Sequence, residues 1–378
     1  MSWERKKFID FILLQRGYDL TQKQIIKGNY PVVTSTSILG YHNAYKANGP
    51  GVITGRSGTI GKVLYIESNY WPHNTSLYVK DFKGNDPKFV YYFMRNFGTA
   101  RAKGGSAVPT LNKNNLSDID ILVPTLDLQK KIVNLLLPYD KLIENNQKQI
   151  KLLEEAAQRL YKEWFVDLHF PGYEDTEIVN GIPKGWKKDR VDSFFKITIG
   201  KTPPREEKQC FEQGNVGVPW VSISDMGNTS VYIFNTTESL TTEAVKKHNM
   251  KIVSASTIFV SFKLTIGRVA IATTDMCTNE AIAHFYIEND FQRAYVYCYL
   301  NNFEYDTLGN TSSISKAINS KIIKAMPFIM PDDTIVKVFD KQLRPIFNEI
   351  KIKQNCCIKL AEARDRLLPK LMSGELTI

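Results

Sequence analysis

Residues 127–165 read DLQKKIVNLLLPYDKLIENNQKQIKLLEEAAQRLYKEWF, and residues 334–372 read TIVKVFDKQLRPIFNEIKIKQNCCIKLAEARDRLLPKLM. The second stretch repeats the first at a displacement of 207, which carries Pro124 onto Pro331 and Pro138 onto Pro345. In the first copy Ile132, Leu136, Tyr139, Ile143, Ile150, Leu153, Ala157, Leu160 and Trp164 follow a 4–3 spacing broken at Asn146. In the second, Phe339, Leu343, Ile346, Ile350, Cys357, Leu360, Leu367 and Leu371 keep that frame, broken at Lys353 and Arg364. A single stripe of this kind most often fills a core. Two copies sustained over about four heptads predict long helices whose stripes need partner helices, and the simplest partner for each is the other. Asn146 and Lys353 occupy equivalent positions, where a polar residue either fixes register or marks a solvated kink downstream of the prolines.

Working outward, the residues before each helix repeat as well. Trp3 aligns with Trp186, Phe8 with Val191 and Phe11 with Phe194. Tyr30-Pro31-Val32-Val33 aligns with Val218-Pro219-Trp220-Val221, and Thr59-Ile60-Gly61-Lys62-Val63 with Thr265-Ile266-Gly267-Arg268-Val269. Asn74 is then matched with Asn279. The displacement grows from 183 through 188 to 206, so the second copy holds about two dozen extra residues early on. Short β-type runs over 51–66 and 257–273, with short aromatic helices over 86–96 and 289–301, predict α+β globular units. The expected organisation is a first globular domain over 1–125, a helix over 126–166 and a Gly-, Pro- and acid-rich linker over 167–186. A second globular domain over 187–331 and a second helix with its tail over 332–378 follow. The helices are expected to pair as an antiparallel coiled coil.

With 378 residues the chain exceeds one ordinary core, in keeping with two domains. A net charge of +10 permits a nucleic-acid partner without demanding one. The five cysteines form no CxxC pair, which fits a reducing compartment. Met1–Gly17 has one apolar run broken by Asp10 and no small-residue cleavage site, and no run reaches the roughly 18 apolar residues of a membrane span. A soluble cytoplasmic protein is expected.

Motifs of covalent chemistry fail one by one. Gly55-Arg56-Ser57-Gly58-Thr59-Ile60-Gly61-Lys62 lacks the glycine and the Ser/Thr that a phosphate loop needs at Arg56 and Val63. It is either a structural hairpin turn or a loop offering a cation and a hydroxyl. Its recurrence with Arg268 in place of Lys62 favours contact with phosphates or bases. Asp332-Asp333-Thr334 caps the second helix rather than holding a catalytic metal. The five histidines (His42, His73, His169, His248, His284) show no metal-ligand spacing, so no metal is expected. What remains is polar and basic material among aromatics: Tyr70–Ser76, Arg101–Ser106, Lys201–Arg205, Ser222–Asp225 and Asn310–Lys316. Such residues read base edges and grip phosphates, although most of them individually serve ordinary turns. The set with DNA-contacting chemistry is Arg56, Ser57, Thr59, Lys62, His73, Asn74, Thr75, Arg101 and Lys103 in the first unit. In the second it is Lys201, Thr202, Arg205, Ser222, Ser224, Lys263, Thr265, Arg268, Asn279 and Lys316.

Taken in order, Gly55–Gly61, Trp164-Phe165-Val166-Asp167 with Phe170-Pro171-Gly172, Gly200-Lys201-Thr202-Pro203 and the ending Arg366–Leu376 resemble a type I restriction–modification specificity subunit. The second unit departs from the pattern by keeping only Thr265-Ile266-Gly267 of the first glycine loop. The resemblance implies a non-catalytic subunit that reads double-stranded DNA, each globular domain taking one half of a bipartite target. The helix pair would set the unread spacer and dock modification subunits, two in number, with restriction subunits joining the full complex. No cofactor is then expected on this chain. S-adenosylmethionine, and ATP with Mg2+, would sit on the partners. The competing expectation is a non-catalytic coiled-coil adaptor whose globular domains bind protein.

Overall fold

The duplication visible in the sequence is realised strand by strand in the computed structural model, which describes residues 3–55, 62–103, 116–308 and 318–376. Two units emerge, the first formed by 1–143 with 359–378 and the second by 144–358. The division runs through both long helices, Leu126–Tyr161 and Asp333–Met372, so each unit holds the beginning of one helix and the end of the other.

In unit 1 the strands Leu13–Arg16, Ser76–Asp81, Gly51–Gly55 and Val63–Ile66 form one sheet in that spatial order. A second sheet orders Ile38–His42, Lys27–Val33 and Trp71–Pro72, and Trp3–Lys7 pairs with Asp120–Pro124. Unit 2 reuses the frame. Lys196–Ile199, Ile282–Tyr286, Ile258–Ser261 and Val269–Ala272 repeat the first sheet with Tyr232–Ile233 added at its edge. Val218–Val221 and Cys277–Thr278 repeat the parallel pair of the second sheet, and Lys187–Arg190 pairs with Pro327–Met330. The extra residues of the second copy fall mainly between Val221 and Ile258. They build helices Ile223–Gly227 and Thr242–Lys247 and strand Glu238–Leu240, which takes the place of Ile38–His42 beside the central strand.

The expected short helix over 86–96 runs further, as Pro87–Lys103. The one over 289–301 is a 3-10 turn, Asp290–Gln292, leading into Arg293–Asn302. The stretch read as a linker is largely exposed over 171–181 and anchored in the core at its ends. Phe170 and Trp186 are buried in the unit 2 core, with ring centroids 5.2 Å apart, and Trp186 meets Phe165 at 5.7 Å. The glycines that suggested a linker serve tight turns: Gly172, Gly181 and Gly185 all take positive φ, which costs glycine little.

The helices carry both cores. In unit 1 Leu128, Ile132, Val133 and Leu136 share a core with Leu368, Leu371 and Met372. In unit 2 Ile150, Ala157, Tyr161 and Trp164 share one with Val336, Phe339, Leu343, Phe347 and Ile350, and Trp164 meets Phe339 at 5.5 Å. In each case the end of one helix meets the start of the other, so the pairing is antiparallel. Tyr139, Ile143, Leu153, Leu160, Ile346, Leu360 and Leu367 are only partly buried. The apolar face is broader than a strict coiled-coil seam because each helix end also covers a sheet unit. Lys353 bonds Glu349 one turn back at 2.9 Å. Arg364, the second interruption of the stripe, is buried and bonded to Asp140 at 2.5 Å and to Asp365 at 2.9 Å. Asp140 also accepts the Tyr92 hydroxyl at 2.5 Å. Among the described residues no helix is long and apolar enough to cross a membrane.

Candidate nucleic-acid interface

Gly17 and Gly200 begin the corresponding surface loops of the two units, and both are pinned by the same contacts. Gly17 N–H donates to Ser76 O and Tyr18 N–H to Pro72 O; Gly200 N–H donates to Ile282 O and Lys201 N–H to Thr278 O. A Cβ on Gly17 would lie 2.1 Å from His73 O, and one on Gly200 2.1 Å from Asn279 O. His73 N–H donates to Val33 O at 2.8 Å, as Asn279 N–H does to Val221 O at 3.0 Å. These matched bonds place His73, not Asn74, opposite Asn279, correcting the sequence alignment by one residue. Asn74 then corresponds to Glu280, and each reaches the loop after its glycine: Asn74 donates to Asp19, and Thr202 donates to Glu280.

Each loop is also held by an indole. Trp71 Nε1–H donates to Tyr18 O at 3.4 Å, and Trp220 Nε1–H donates to Lys201 O at 3.2 Å. The two indoles stand on different strands. Trp71 faces Val32 across the parallel pair of unit 1, and Trp220 faces Cys277 across that of unit 2. A cation lies over each ring. Lys46 Nζ is 5.3 Å from Trp71 and 5.9 Å from Tyr18, while the Arg205 guanidinium sits 4.6 Å from Trp220 and 4.3 Å from Phe211. Arg205 is further oriented by Glu238 at 2.8 Å. The ring faces hold both cations at the surface, Arg205 together with its Glu238 partner.

Around this frame the second unit gathers most of the residues singled out from sequence. Lys201 Nζ donates to His248 O at 2.7 Å. Ser222 caps helix Ile223–Gly227, accepting from Asp225 N–H, and Ser224 is exposed on its first turn. Asn279 Oδ1 accepts Ala281 N–H at 3.0 Å. Lys263 and Thr265 stand on the exposed turn after strand Ile258–Ser261, whose Ser261 hydroxyl donates to Thr265 O at 2.6 Å. Arg268 Nη1 donates to Ile223 O at 2.7 Å and the guanidinium lies against Gly227. It braces the 223–227 helix beside the exposed turn.

In the first unit His73 Nδ1 lies 3.1 Å from Thr75 Oγ1, and His73 Nε2 lies 3.2 Å from Leu20 O. Arg16 Nε donates to Asn74 O at 3.4 Å, adding a cation to this cluster. Lys62 is exposed, and its carbonyl accepts the Thr54 hydroxyl at 3.1 Å. Arg56, Ser57, Thr59 and Lys316 lie outside the described residues, as do the side chains of Arg101 and Lys103. The structure sets Arg16, Tyr18, Lys46, Trp71 and Trp220 beside the contact residues named from sequence. The last two carried a signal, since Trp replaces Val at one aligned position and is itself replaced by Cys at the other.

Behind the interface, His284 is fully buried between Thr198 Oγ1 at 2.9 Å and Thr278 Oγ1 at 2.7 Å. Burial, with a smaller contribution from Lys251, lowers its pKa to about 3, so the ring is neutral and bridges two strands.

Both units thus carry the same α+β frame with a cation mounted on an indole, and each is joined to the ends of the paired long helices. The chain belongs to the family of the type I restriction modification DNA specificity domain, whose sequence pattern matches residues 2–155 and again 183–359. It is 26% identical over 433 aligned positions to the type I restriction enzyme MjaIX specificity subunit of Methanocaldococcus jannaschii, covering all of this chain and 94% of that one. The HindI specificity subunit of Haemophilus influenzae is 24% identical over 73% of either chain. The crystal structure of a type I restriction–modification S subunit from M. genitalium shares the fold with a TM-score of 0.57 at 16% identity, covering 98% of this chain and 96% of that one.

Proposed function

We propose that this chain is the DNA-reading subunit of a type I restriction–modification complex, each unit recognising one half of a bipartite target. The observation that carries the proposal is the repetition of one loop-and-indole frame in both units, each joined to a long helix. In this reading Lys201, Thr202, Arg205, Ser224 and the 263–265 turn face one half-site. Arg16, Lys46, Lys62 and the His73–Thr75 turn face the other. Cations engage phosphates, and amides, hydroxyls and imidazole read base edges. The chain itself performs no chemistry. Modification subunits carrying S-adenosylmethionine dock on the helices and the units, and ATP-dependent restriction subunits join them. A cytoplasmic location follows from that role.

The helices are proposed to set the number of unread base pairs. A 36-residue helix is about 54 Å long at 1.5 Å per residue, on the scale of the roughly 34 Å that separates successive major-groove faces. The test is a methylation map of DNA from cells expressing this chain with its modification subunit. One bipartite adenine-methylated motif, lost when the chain is deleted, is expected. Inserting one heptad into each helix lengthens them by about 10 Å and should widen the gap by about three base pairs while leaving both half-sites intact. A motif that persists without the chain would overturn the proposal in favour of a protein-binding scaffold.

A further inference from the structure

Just beyond Arg205, the turn of unit 2 brings together three side chains that DNA reading does not use. Glu207 precedes the 3-10 turn Lys208–Cys210, and His248 ends helix Thr242–Lys247. Cys210 Sγ is 3.3 Å from Glu207 Oε2 and 3.7 Å from His248 Nε2, and those two atoms are 3.0 Å apart. Among the described residues this is the one group of three His, Cys, Asp or Glu side chains whose ligand atoms all lie within 4.8 Å of one another.

Those separations can be set against tetrahedral zinc. Bonds of about 2.3 Å to sulfur and about 2.0–2.1 Å to nitrogen and oxygen give edges of about 3.5 Å from sulfur to either partner and about 3.3 Å from nitrogen to oxygen. All three separations lie within about 0.3 Å of these edges, so small side-chain movements admit an ion. The donor set of thiolate, imidazole and carboxylate suits zinc, and the mixed charges would leave the loaded site neutral. Cys210 is buried, whereas the side chains of His248 and Glu207 are 14% and 27% exposed, leaving an open side for a water ligand.

We propose that Glu207, Cys210 and His248 bind one transition-metal ion, zinc by donor type, with water completing a tetrahedron. Lys247 Nζ bonds the same Glu207 oxygen at 2.6 Å, and a carboxylate oxygen can accept that bond while ligating through its other lone pair. Binding through the Cys210 thiolate releases the thiol proton. The bound metal would cross-link the 207–210 turn to the helix end whose His248 carbonyl anchors Lys201. It would thereby fix the loop that presents Lys201, Thr202 and Arg205.

A hydrogen-bonded trio would satisfy the same contacts without an ion, so the deciding measurement is bound metal rather than DNA binding. The purified full chain, equilibrated with micromolar Zn2+ and desalted, should retain one equivalent. The Co2+-loaded protein should show a thiolate-to-cobalt absorption band. Cys210→Ser and His248→Ala should each weaken zinc binding by more than about 100-fold, beyond what losing a supporting hydrogen bond costs. Lys247→Ala and Cys356→Ser should keep the metal. Retention of less than about a tenth of an equivalent by the wild-type chain would overturn the site, whatever the variants do. So would a cobalt band that survives Cys210→Ser and vanishes in Cys356→Ser.

Discussion

Unit 1 takes its loop-holding indole from the strand Trp71–Pro72, and unit 2 takes its own from Val218–Val221, one strand over in the same parallel pair. Both indoles donate to the carbonyl one residue past the pinned glycine, and both carry a cation on the ring. Position in space is therefore kept while position in sequence is exchanged. The helices differ in a second way. The half-buried pair Asp140–Arg364 of unit 1 corresponds, through the 207-residue displacement, to Phe347 and Ala157 in unit 2, both in its core. One unit closes its helix pair with charge and the other with a phenyl ring beside a methyl group. A shared frame thus tolerates different chemistry wherever volume and hydrogen bonding are still satisfied.

The sharpest break of this comparison is at the pinned glycines. Gly17→Ala and Gly200→Ala each drive a Cβ to 2.1 Å from a backbone carbonyl, which cannot yield as a flexible side chain would. Each should destabilise its own unit by about 3 kcal/mol or more. Hydrogen exchange on the full chain should show the loss confined to the strands of the altered unit. Equal loss in both units would mean that they do not fold independently.

Next in size is Arg364→Ala. It strands the Asp140 charge beside Tyr92 and should cost unit 1 about 2–3 kcal/mol in urea unfolding. Adding Asp140→Phe, which copies the chemistry of unit 2, should recover most of that loss, since a well-packed apolar pair replaces a buried ion pair at little cost. Failure to recover would show that the Tyr92 and Asp365 bonds make the charged solution specific to unit 1.

A pH difference between the units follows from His284. Its folded pKa of about 3 lies below the ordinary 6.5, so the unfolded chain takes up the proton first as pH falls. The stability of the neutral ring is fully present above pH 6.5 and is lost progressively down to about 3. Between pH 6.5 and 5 the loss in unit 2 should be about 2 kcal/mol, measured by urea titrations at the two pH values. His284→Gln should flatten that dependence.

The smallest effects are expected at the ring-mounted cations. Lys46→Ala and Arg205→Ala should each change folding stability by about 0.5–1 kcal/mol. If they face DNA as proposed, each should also lower the salt slope of binding by about one unit, read from affinities at several salt concentrations. An unchanged slope would leave them as packing residues.

Much of the architecture is legible in the chain because helix stripes and duplicated segments are linear patterns. Ile132, Leu136, Phe339 and Leu343 could be named as helix-pair residues before any coordinates, since a 4–3 repeat has one geometric meaning. The interface was legible only in part. Asn279 could be aligned with Asn74 by identity, yet the backbone bonds of His73 and Asn279 to Val33 and Val221 show the true correspondence. The bond from Arg268 to Ile223 O was not legible, because the segment carrying that helix is inserted only in unit 2. In the 167–186 segment the glycines and acids of a linker were visible, whereas the core seats of Phe170 and Trp186 were not.

By itself the sequence determined that the protein is duplicated, that each copy ends in a long amphipathic helix, and that the copies differ by an early insertion. These follow from periodicity and repetition, which depend only on order along the chain. The tertiary structure decided which strand supplies each indole, why a buried arginine is tolerated in a helix stripe, and that Glu207, Cys210 and His248 meet. Those outcomes rest on contacts between residues far apart in sequence, where hydrogen-bond direction and side-chain volume, rather than spacing, select the partner.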